Sequence, residues 1–167
     1  FQEKDLSGIA LPMSFDLSSM DLSGFNLRGV DFSREIDLSQ THFTDAVIND
    51  ARLGSQNYSF SKENLVSTLS YKQKDLSGVK IEGGDYTGTD FSGCNLTGAG
   101  LMRTNLADAD FTDAVIAGCD FTGAQHFTGV QFYATQSYQD KDARGVKLNE
   151  MNLSNANFRE LNLQGAS

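Results

Sequence analysis

Residues 74–123 divide into ten consecutive pentapeptides, KDLSG VKIEG GDYTG TDFSG CNLTG AGLMR TNLAD ADFTD AVIAG CDFTG. The third residue of every pentapeptide is large and apolar, and the residue before it is usually Asp or Asn. A period of five fits neither an α-helix, which repeats every 3.6 residues, nor a simple strand, which repeats every two. The chain must therefore turn once per pentapeptide. The ten central residues are Leu76, Ile81, Tyr86, Phe91, Leu96, Leu101, Leu106, Phe111, Ile116 and Phe121.

Each pentapeptide is expected to form one short extended side of a coil and to end in a turn. Side chains two apart share a face of an extended chain, so the central residue and the small residue two before it point inward. The other three positions face solvent, which accounts for the polar Asp/Asn and Ser/Thr columns. Glycine is frequent at the last position, where a tight turn with positive φ costs it nothing.

This pattern is similar to that of the pentapeptide-repeat family, in which a small residue is followed by Asp or Asn, then Leu or Phe, then Ser, Thr or Arg, then a variable residue. The resemblance covers most of the chain. It implies an all-β fold, a right-handed quadrilateral parallel β-helix with about 20 residues per coil. It also implies that Phe91 stacks beneath Phe111. The predicted core ladder consists of Leu76, Leu96, Ile116, Phe91, Phe111, Leu101 and Phe121.

The same pattern continues on both sides of this stretch, with two changes of register. One extra residue follows Leu11 and another lies near Glu35, and both are predicted to be bulges. The chain holds roughly 27 pentapeptides, or about seven coils, and a rise of about 4.8 Å per coil gives a rod of roughly 30–35 Å. The further predicted centres are Leu6, Leu11, Leu17, Leu22, Leu27, Phe32, Leu38, Phe43, Ile48, Leu53 and Tyr58, then Ala143, Leu148, Leu153, Phe158 and Leu163.

Two stretches interrupt the pattern, and they resemble each other, the first over 60–75 and the second over 127–142. Both contain T-x-S-Y-x-x-K-D, and FTDAVI recurs before each of them. The duplicated unit is therefore a module as long as the stretch from Phe60 to Phe127, and not merely a pentapeptide. We expect a single solenoid over residues 1–167, with internal modules 4–73, 74–140 and a partial 141–167, and with helical inserts near 61–73 and 128–140.

Each insert is predicted to be a short helix followed by a turn back into the wall. Ser61 and Thr128 are suitable N-caps, and Leu65 and Leu69 are four apart, on one helical face. In one interpretation the helix packs Leu65 or Phe132 on the solenoid and only bridges coils. In the other, the T-x-S-Y sequence forms a contact site for a protein partner, with Tyr71 and Tyr138 as its contact residues.

The inserts are also similar to those of long bacterial tandem arrays, many of which are exported. This resemblance favours an extracytoplasmic location (secreted or periplasmic), or the chloroplast thylakoid lumen where other family members reside, over the cytoplasm. Both ends of the chain fall inside a module without a clear polar cap. We therefore expect a fragment of a longer array, or ends covered by a partner or a second copy.

The amino-acid composition limits which classes of protein the chain can belong to. With 167 residues, of which 39% are apolar, the chain suits one folded domain. The net charge of -9 disfavours a nucleic-acid partner, because there is no basic excess to release counterions. No apolar run reaches the 18 or so residues of a membrane-spanning helix, so membrane insertion is not expected.

The sequence offers no catalytic, metal or cofactor site. His42 and His126 each precede a Phe, and both are predicted to occupy the solvent-facing position where Asp or Asn usually stands. Cys94 and Cys119 take inward small-residue positions, one coil plus one side apart, and are predicted to be free thiols on adjoining walls. The regular Asp column is predicted to be a surface feature, not a calcium site or a pair of catalytic carboxylates.

The residues and the family resemblance support three hypotheses of function. The first is a non-enzymatic structural or protein-binding scaffold, within a larger assembly or array. The second is an acidic DNA mimic of the kind that some family members use against topoisomerases. The third is the non-catalytic wall of a larger enzyme.

Overall fold

A computed structural model of the chain describes residues 4–9, 17, 19–33, 37–55, 59–151 and 156–167. The predicted centres Leu11, Tyr58 and Leu153, and the two predicted bulges, lie outside these described residues. In chain order the elements are β1 (Arg52–Leu53), α1 (Lys62–Ser67), α2 (Leu69–Lys72), β2 (Lys80–Glu82), β3 (Gly100–Met102), α3 (Gly129–Ala134) and α4 (Gln136–Gln139).

The strands form one parallel sheet in the order β1-β2-β3, with Leu53 opposite Ile81 and Ile81 opposite Leu101. Isolated parallel bridges extend the same pairing along the chain. In the second half the partners are four pentapeptides apart, and the pairs are Asp75 with Asn95, Asp85 with Asn105, Asp90 with Asp110 and Asn95 with Val115. The chain therefore returns to pair with itself after every four pentapeptides.

Extended segments are short because a hydrogen-bonded turn follows most of the central residues. After Phe91, for example, the N–H of Cys94 donates to the Phe91 carbonyl at 3.0 Å, and Gly93 has φ of 62°. A positive φ at the third residue of such a turn is the requirement of type II geometry. The Asp side chain before the centre supports the same turn, because Asp90 Oδ1 accepts the Ser92 N–H at 2.8 Å. Only two or three residues per pentapeptide remain extended.

Two regions depart from the separation of four pentapeptides. In the first half, Asp21 pairs with His42 and Asn26 with Val47, which agrees with one extra residue per coil. At the inserts the coils are longer still, and the paired positions are Arg52 with Lys80 and Asp120 with Lys147. The parallel pairing continues on both sides of each longer coil.

The core lies inside the coils and consists of the inward central residues. All seven residues of the predicted core ladder are buried, at most 2% exposed. The rings of Phe91 and Phe111 stack with centroids 5.1 Å apart and an interplanar angle of 21°. Small residues two before the centres, such as Cys94, Ala99 and Ala114, are buried beside them. Ladders of equivalent side chains thus fill the interior from one coil to the next.

Candidate functional site: the two inserts

Each insert contains two short helical segments, where the sequence predicts one helix. The first insert consists of α1 and α2, which meet at Thr68, and the second consists of α3 and α4, which meet at Thr135. The prediction that Leu65 and Leu69 share one helical face is therefore wrong. Leu65 is fully buried, whereas Leu69 lies beyond the break and is half-buried.

A buried threonine makes the break by capping both segments. Thr68 is extended, with φ of -68° and ψ of 153°, so the helix cannot continue through it. Its hydroxyl donates to the Leu65 carbonyl at 2.7 Å and accepts the Tyr71 N–H at 3.1 Å. Thr135 makes the equivalent bonds with Phe132 and Tyr138, at 2.8 and 3.1 Å. One threonine hydroxyl thus bonds a free carbonyl at the end of one helical segment and a free N–H at the start of the next.

The serine of T-x-S-Y replaces a backbone acceptor of the ladder. Between regular coils the N–H of a central residue donates to a carbonyl of the next coil, as the Leu96 N–H does to the Val115 carbonyl at 2.8 Å. Where an insert begins the next coil, the Ile48 N–H donates to Ser70 Oγ at 3.0 Å, and the Ile116 N–H to Ser137 Oγ at 2.9 Å. Both serines are buried. Sequence reasoning missed this role, although the recurrence of Ser in both copies was its signal.

The inserts also belong to the wall and the core. The Leu69 N–H donates to the Ala46 carbonyl, and the Gln136 N–H to the Ala114 carbonyl, both at 2.9 Å. Leu65 and Phe132 occupy equivalent positions and are both 0% exposed. Each insert therefore supplies a core residue of its own coil.

Tyr71 lies against the coil that follows the first insert. Its hydroxyl donates to the Asp90 carbonyl at 2.7 Å, and its ring meets the Phe91 ring edge-on at 6.4 Å. The ammonium group of Lys74 lies 5.7 Å from the ring centroid and pairs with Asp90 at 3.1 Å. Burial, together with the Asp90 charge, raises the pKa of Tyr71 to about 12. The polar end of this predicted contact residue is therefore engaged within the chain.

Tyr138, at the equivalent position, makes different contacts. Its ring packs on Phe132 and Tyr133, with centroid distances of 5.4 and 4.8 Å. The Tyr133 hydroxyl accepts the Asn157 N–H at 2.6 Å. A groove of about 600 Å³ lies between this insert and the following coil. We call it the Tyr138 groove, and it is lined by Tyr133, Tyr138, Gln139, Lys141, Asn157, Arg159, Glu160 and Leu161.

The two histidines differ from each other in position. His42 is exposed, and its backbone forms a parallel bridge with that of Asp21. His126 is exposed as predicted, but the prediction that it stands in the Asp/Asn column is wrong, because Gln125 pairs with Asn105 in that column. His126 is an additional residue with φ of 60°, which moves Phe127 into the inward position.

The prediction of free core thiols is confirmed. Cys94 and Cys119 are both buried and unpaired with each other. Burial raises the pKa of the Cys94 thiol to about 11 and raises that of Cys119 as well. A protonated thiol is a weak nucleophile, so these side chains act as small core residues at neutral pH.

No three His, Cys, Asp or Glu side chains in the described ranges come together in a way that could hold a metal ion. The longest helical segments in those ranges have six residues, and no helix there has the length and apolarity that crossing a membrane requires.

Comparison with known proteins identifies a family model. The model of pentapeptide repeats matches in eight copies over residues 75–113, 101–134 and 142–167, together more than half of the chain. A comparison with curated protein sequences found no match.

Three solved structures are similar in part. HetL from the cyanobacterium Nostoc sp. strain PCC 7120, a pentapeptide repeat protein involved in heterocyst differentiation regulation, is 21% identical, with 97% of this chain and 67% of that chain covered and a TM-score of 0.34. QnrB1, a plasmid-mediated fluoroquinolone resistance protein, is 18% identical, with coverage of 98% and 90% and a TM-score of 0.32. Rfr23 from the cyanobacterium Cyanothece 51142 is 17% identical, with coverage of 99% and 88% and a TM-score of 0.21. Likenesses at this level do not transfer a function.

Proposed function

The chain belongs to the pentapeptide-repeat family, and from that premise we propose that it is a non-enzymatic β-solenoid scaffold that binds a protein partner through its inserts. Members of the family form right-handed β-helix solenoids and are in general structural or binding proteins without catalytic activity.

The proposed solenoid has four sides and about seven coils. Paired positions in the second half are separated by four pentapeptides, and most of these pentapeptides end in a hydrogen-bonded turn. At a rise of about 4.8 Å per coil, such a rod is roughly 30–35 Å long. Small-angle scattering of the purified chain measures this length.

The proposed modules are residues 4–73, 74–140 and a partial 141–167. Equivalent ring contacts in the first two modules support this division. Phe43 and Phe60 make an edge-to-face contact at 5.0 Å, and Phe111 and Phe127 make the same contact at 5.1 Å. The two inserts are then copies of one device that recurs once per module.

The observation that carries a binding role is the division of each insert into a buried and an outer part. Thr68, Ser70, Thr135 and Ser137 are buried and hold the insert in the wall. Beyond them, the tyrosine at the end of the motif is only partly buried, and at Tyr138 it borders a groove. Loops that recur on one face of a repeat protein are often its binding surface.

Site-specific photocrosslinking tests this proposal. The chain is produced in its cell of origin with benzoylphenylalanine in place of Tyr138, or in place of Thr97 as an exposed control in the wall. We expect a discrete protein adduct at position 138, weakened by an excess of unlabelled chain and missing at position 97. Equal labelling at both positions, or none at 138, would refute the proposal.

A further inference from the structure

The two inserts differ in how they meet the following coil. In the first, Tyr71 reaches the Asp90 carbonyl and Lys74 pairs with the Asp90 carboxylate, so the insert and the coil are joined. In the second, it is Tyr133 that bonds to the coil, by accepting the Asn157 N–H, while Tyr138 packs against Tyr133 and the Tyr138 groove remains between Tyr138 and the coil. The sequences explain the difference, because the residue corresponding to Tyr133 in the first insert is Val66. The first insert has no second ring to hold its tyrosine away from the coil.

The lining of the groove combines an aromatic surface with an unbalanced cation. The rings of Tyr133 and Tyr138 and the half-buried Leu161 supply its apolar part. Lys141 is paired with Glu160. The exposed Arg159 guanidinium forms no hydrogen bond or ion pair with another residue in the described parts of the chain. The ion pair of Lys141 and Glu160 leaves the charge of Arg159 unbalanced, so the lining of the groove has one net positive charge.

We propose that the Tyr138 groove binds a short, extended, acidic segment of a partner protein. An aromatic or aliphatic side chain of that segment lies on the rings of Tyr133 and Tyr138, and a carboxylate pairs with the Arg159 guanidinium. This inference rests on the proposed function, since it assumes that the inserts bind protein.

Charge and size select this occupant. A basic segment would have to displace Lys141 from Glu160 and approach Arg159, whereas a carboxylate finds an arginine already available for a two-pronged hydrogen bond. The net charge of -9 does not prevent this, because charges beyond about 8 Å are largely screened at physiological ionic strength. A groove of about 600 Å³ is in the range of ligand pockets and holds a short segment.

Titration of the complete chain with matched peptides tests the inference. The probes are the capped peptide LEFEL and its neutral counterpart LQFQL, observed by NMR chemical shifts up to about 2 mM, a range suited to weak single sites. We expect LEFEL to bind about tenfold more tightly than LQFQL, with shifts at residues lining the groove. Arg159→Gln should lower the affinity for LEFEL about tenfold. Arg144→Gln, which removes an arginine paired with Asp142, is the matched control and should leave the affinity unchanged.

Three outcomes would overturn the inference: equal affinity for the two peptides, an unaltered affinity in Arg159→Gln, or no binding in the tested range. Benzoate is a further probe, and binding as tight as that of LEFEL would reassign the groove to small carboxylates. A crosslinked partner at position 138 together with failure of LEFEL would reject the acidic segment and leave the proposed function standing. Binding of LEFEL without any crosslinked partner would show that the groove accepts an acidic peptide, but it would reject the proposed function and, with it, a partner protein as the occupant.

Discussion

At the scale of single residues, the chain relies on small polar side chains that are buried and stand in for backbone groups. Ser70 and Ser137 each accept a hydrogen bond from the backbone N–H of an isoleucine. In a regular coil a backbone carbonyl would be the acceptor, but the insert places none at this position. In the first copy Asn49 extends the network, accepting the Ser70 hydroxyl at 3.0 Å. The second copy has Ala117 at that position, so Ser137 acts there without this support.

Ser137→Ala should destabilise the chain by about 1–3 kcal/mol, because it leaves the Ile116 N–H buried without an acceptor. Urea unfolding measures the loss, and amide exchange at Ile116 should speed up more than at Leu96, whose acceptor is a carbonyl. Thr112→Ala, at an exposed wall position, is the control and should stay within about 0.5 kcal/mol. A loss no larger than that of the control would show that the serine hydroxyl is dispensable.

Much of the residue-scale pattern was predictable, because the inward positions recur at every fifth position and need the same kind of side chain. The displacement of His126 was missed, although Phe121 and Phe127 are six residues apart instead of five. Many residue types in this chain adopt the left-handed conformation, so residue type does not identify an additional residue. His126 also precedes a Phe, as a regular repeat residue would. The pairing of Gln125 with Asn105 locates the additional residue at His126.

At the scale of elements, each insert takes the place of a segment of the solenoid wall and does not lie on the outside of an intact wall. Its backbone pairs with the coil before it, and its apolar residue, Leu65 or Phe132, is fully buried. Sequence predicted the N-caps of the inserts, Ser61 and Thr128. It did not predict their division in two, because Thr68 looks like an ordinary helical residue between Leu65 and Leu69.

Phe132→Ala should cost about 3–5 kcal/mol of unfolding free energy, the usual loss for a fully buried phenylalanine. Val130→Ala, on the same helical segment but 77% exposed, should change stability by less than about 0.5 kcal/mol. Thermal unfolding followed by circular dichroism compares the two. Similar small losses in both variants would mean that the insert lies outside the core.

Thr135→Val tests the double cap while keeping the shape of the side chain. Its hydroxyl serves both α3 and α4, whereas that of the equally buried Thr104 only donates to the Leu101 carbonyl at 2.8 Å. We expect Thr135→Val to cost about 0.5–2 kcal/mol more than Thr104→Val, the value of a lost N-cap. Equal losses in chemical denaturation would argue that the Tyr138 N–H needs no cap.

The Tyr138 groove could not be read from the motif that marks the inserts. Both inserts have the tyrosine, so the motif predicts equal contacts for Tyr71 and Tyr138. The difference comes from residues that the two copies do not share, chiefly Tyr133 and Arg159. A repeat pattern describes what its copies have in common, and a site built from their differences falls outside it.

At the scale of the whole molecule, acidic side chains support the turns of many coils at once. Hydrogen bonds from Ser92 hold the pKa of Asp90 below its usual value, and those from Thr87 do the same for Asp85. Asp21 has the same arrangement with Ser23. A carboxyl group whose pKa is lower in the folded chain stabilises the fold above its unfolded pKa, near 3.8, and loses that effect as pH falls further.

The thermal midpoint should therefore vary little from pH 7 to pH 5 and fall below about pH 4. Replacing Asp85 and Asp90 by Asn should flatten this fall, because Asn keeps the acceptor without titrating. Asn95 already acts in this way, accepting the Thr97 N–H at 3.1 Å. Melting curves at each pH make the measurement. An unchanged midpoint down to pH 3, or an equally steep fall in the Asn variant, would contradict it.

The two insert coils have unequal lengths, and this has a consequence for how such chains diversify. The coil from Arg52 to Lys80 is one residue longer than the equivalent coil from Asp120 to Lys147. From the insert phenylalanine to the buried serine the two copies have equal lengths, so the extra residue was absorbed upstream without disturbing either serine or its isoleucine. Hydrogen bonds to the neighbouring coils fix where an insert coil starts and where it ends. Such a coil therefore tolerates an added or deleted residue between these two points without a change of register in the neighbouring coils. The segment before the insert phenylalanine is therefore where a loop can be inserted, and where we expect natural arrays to differ in length.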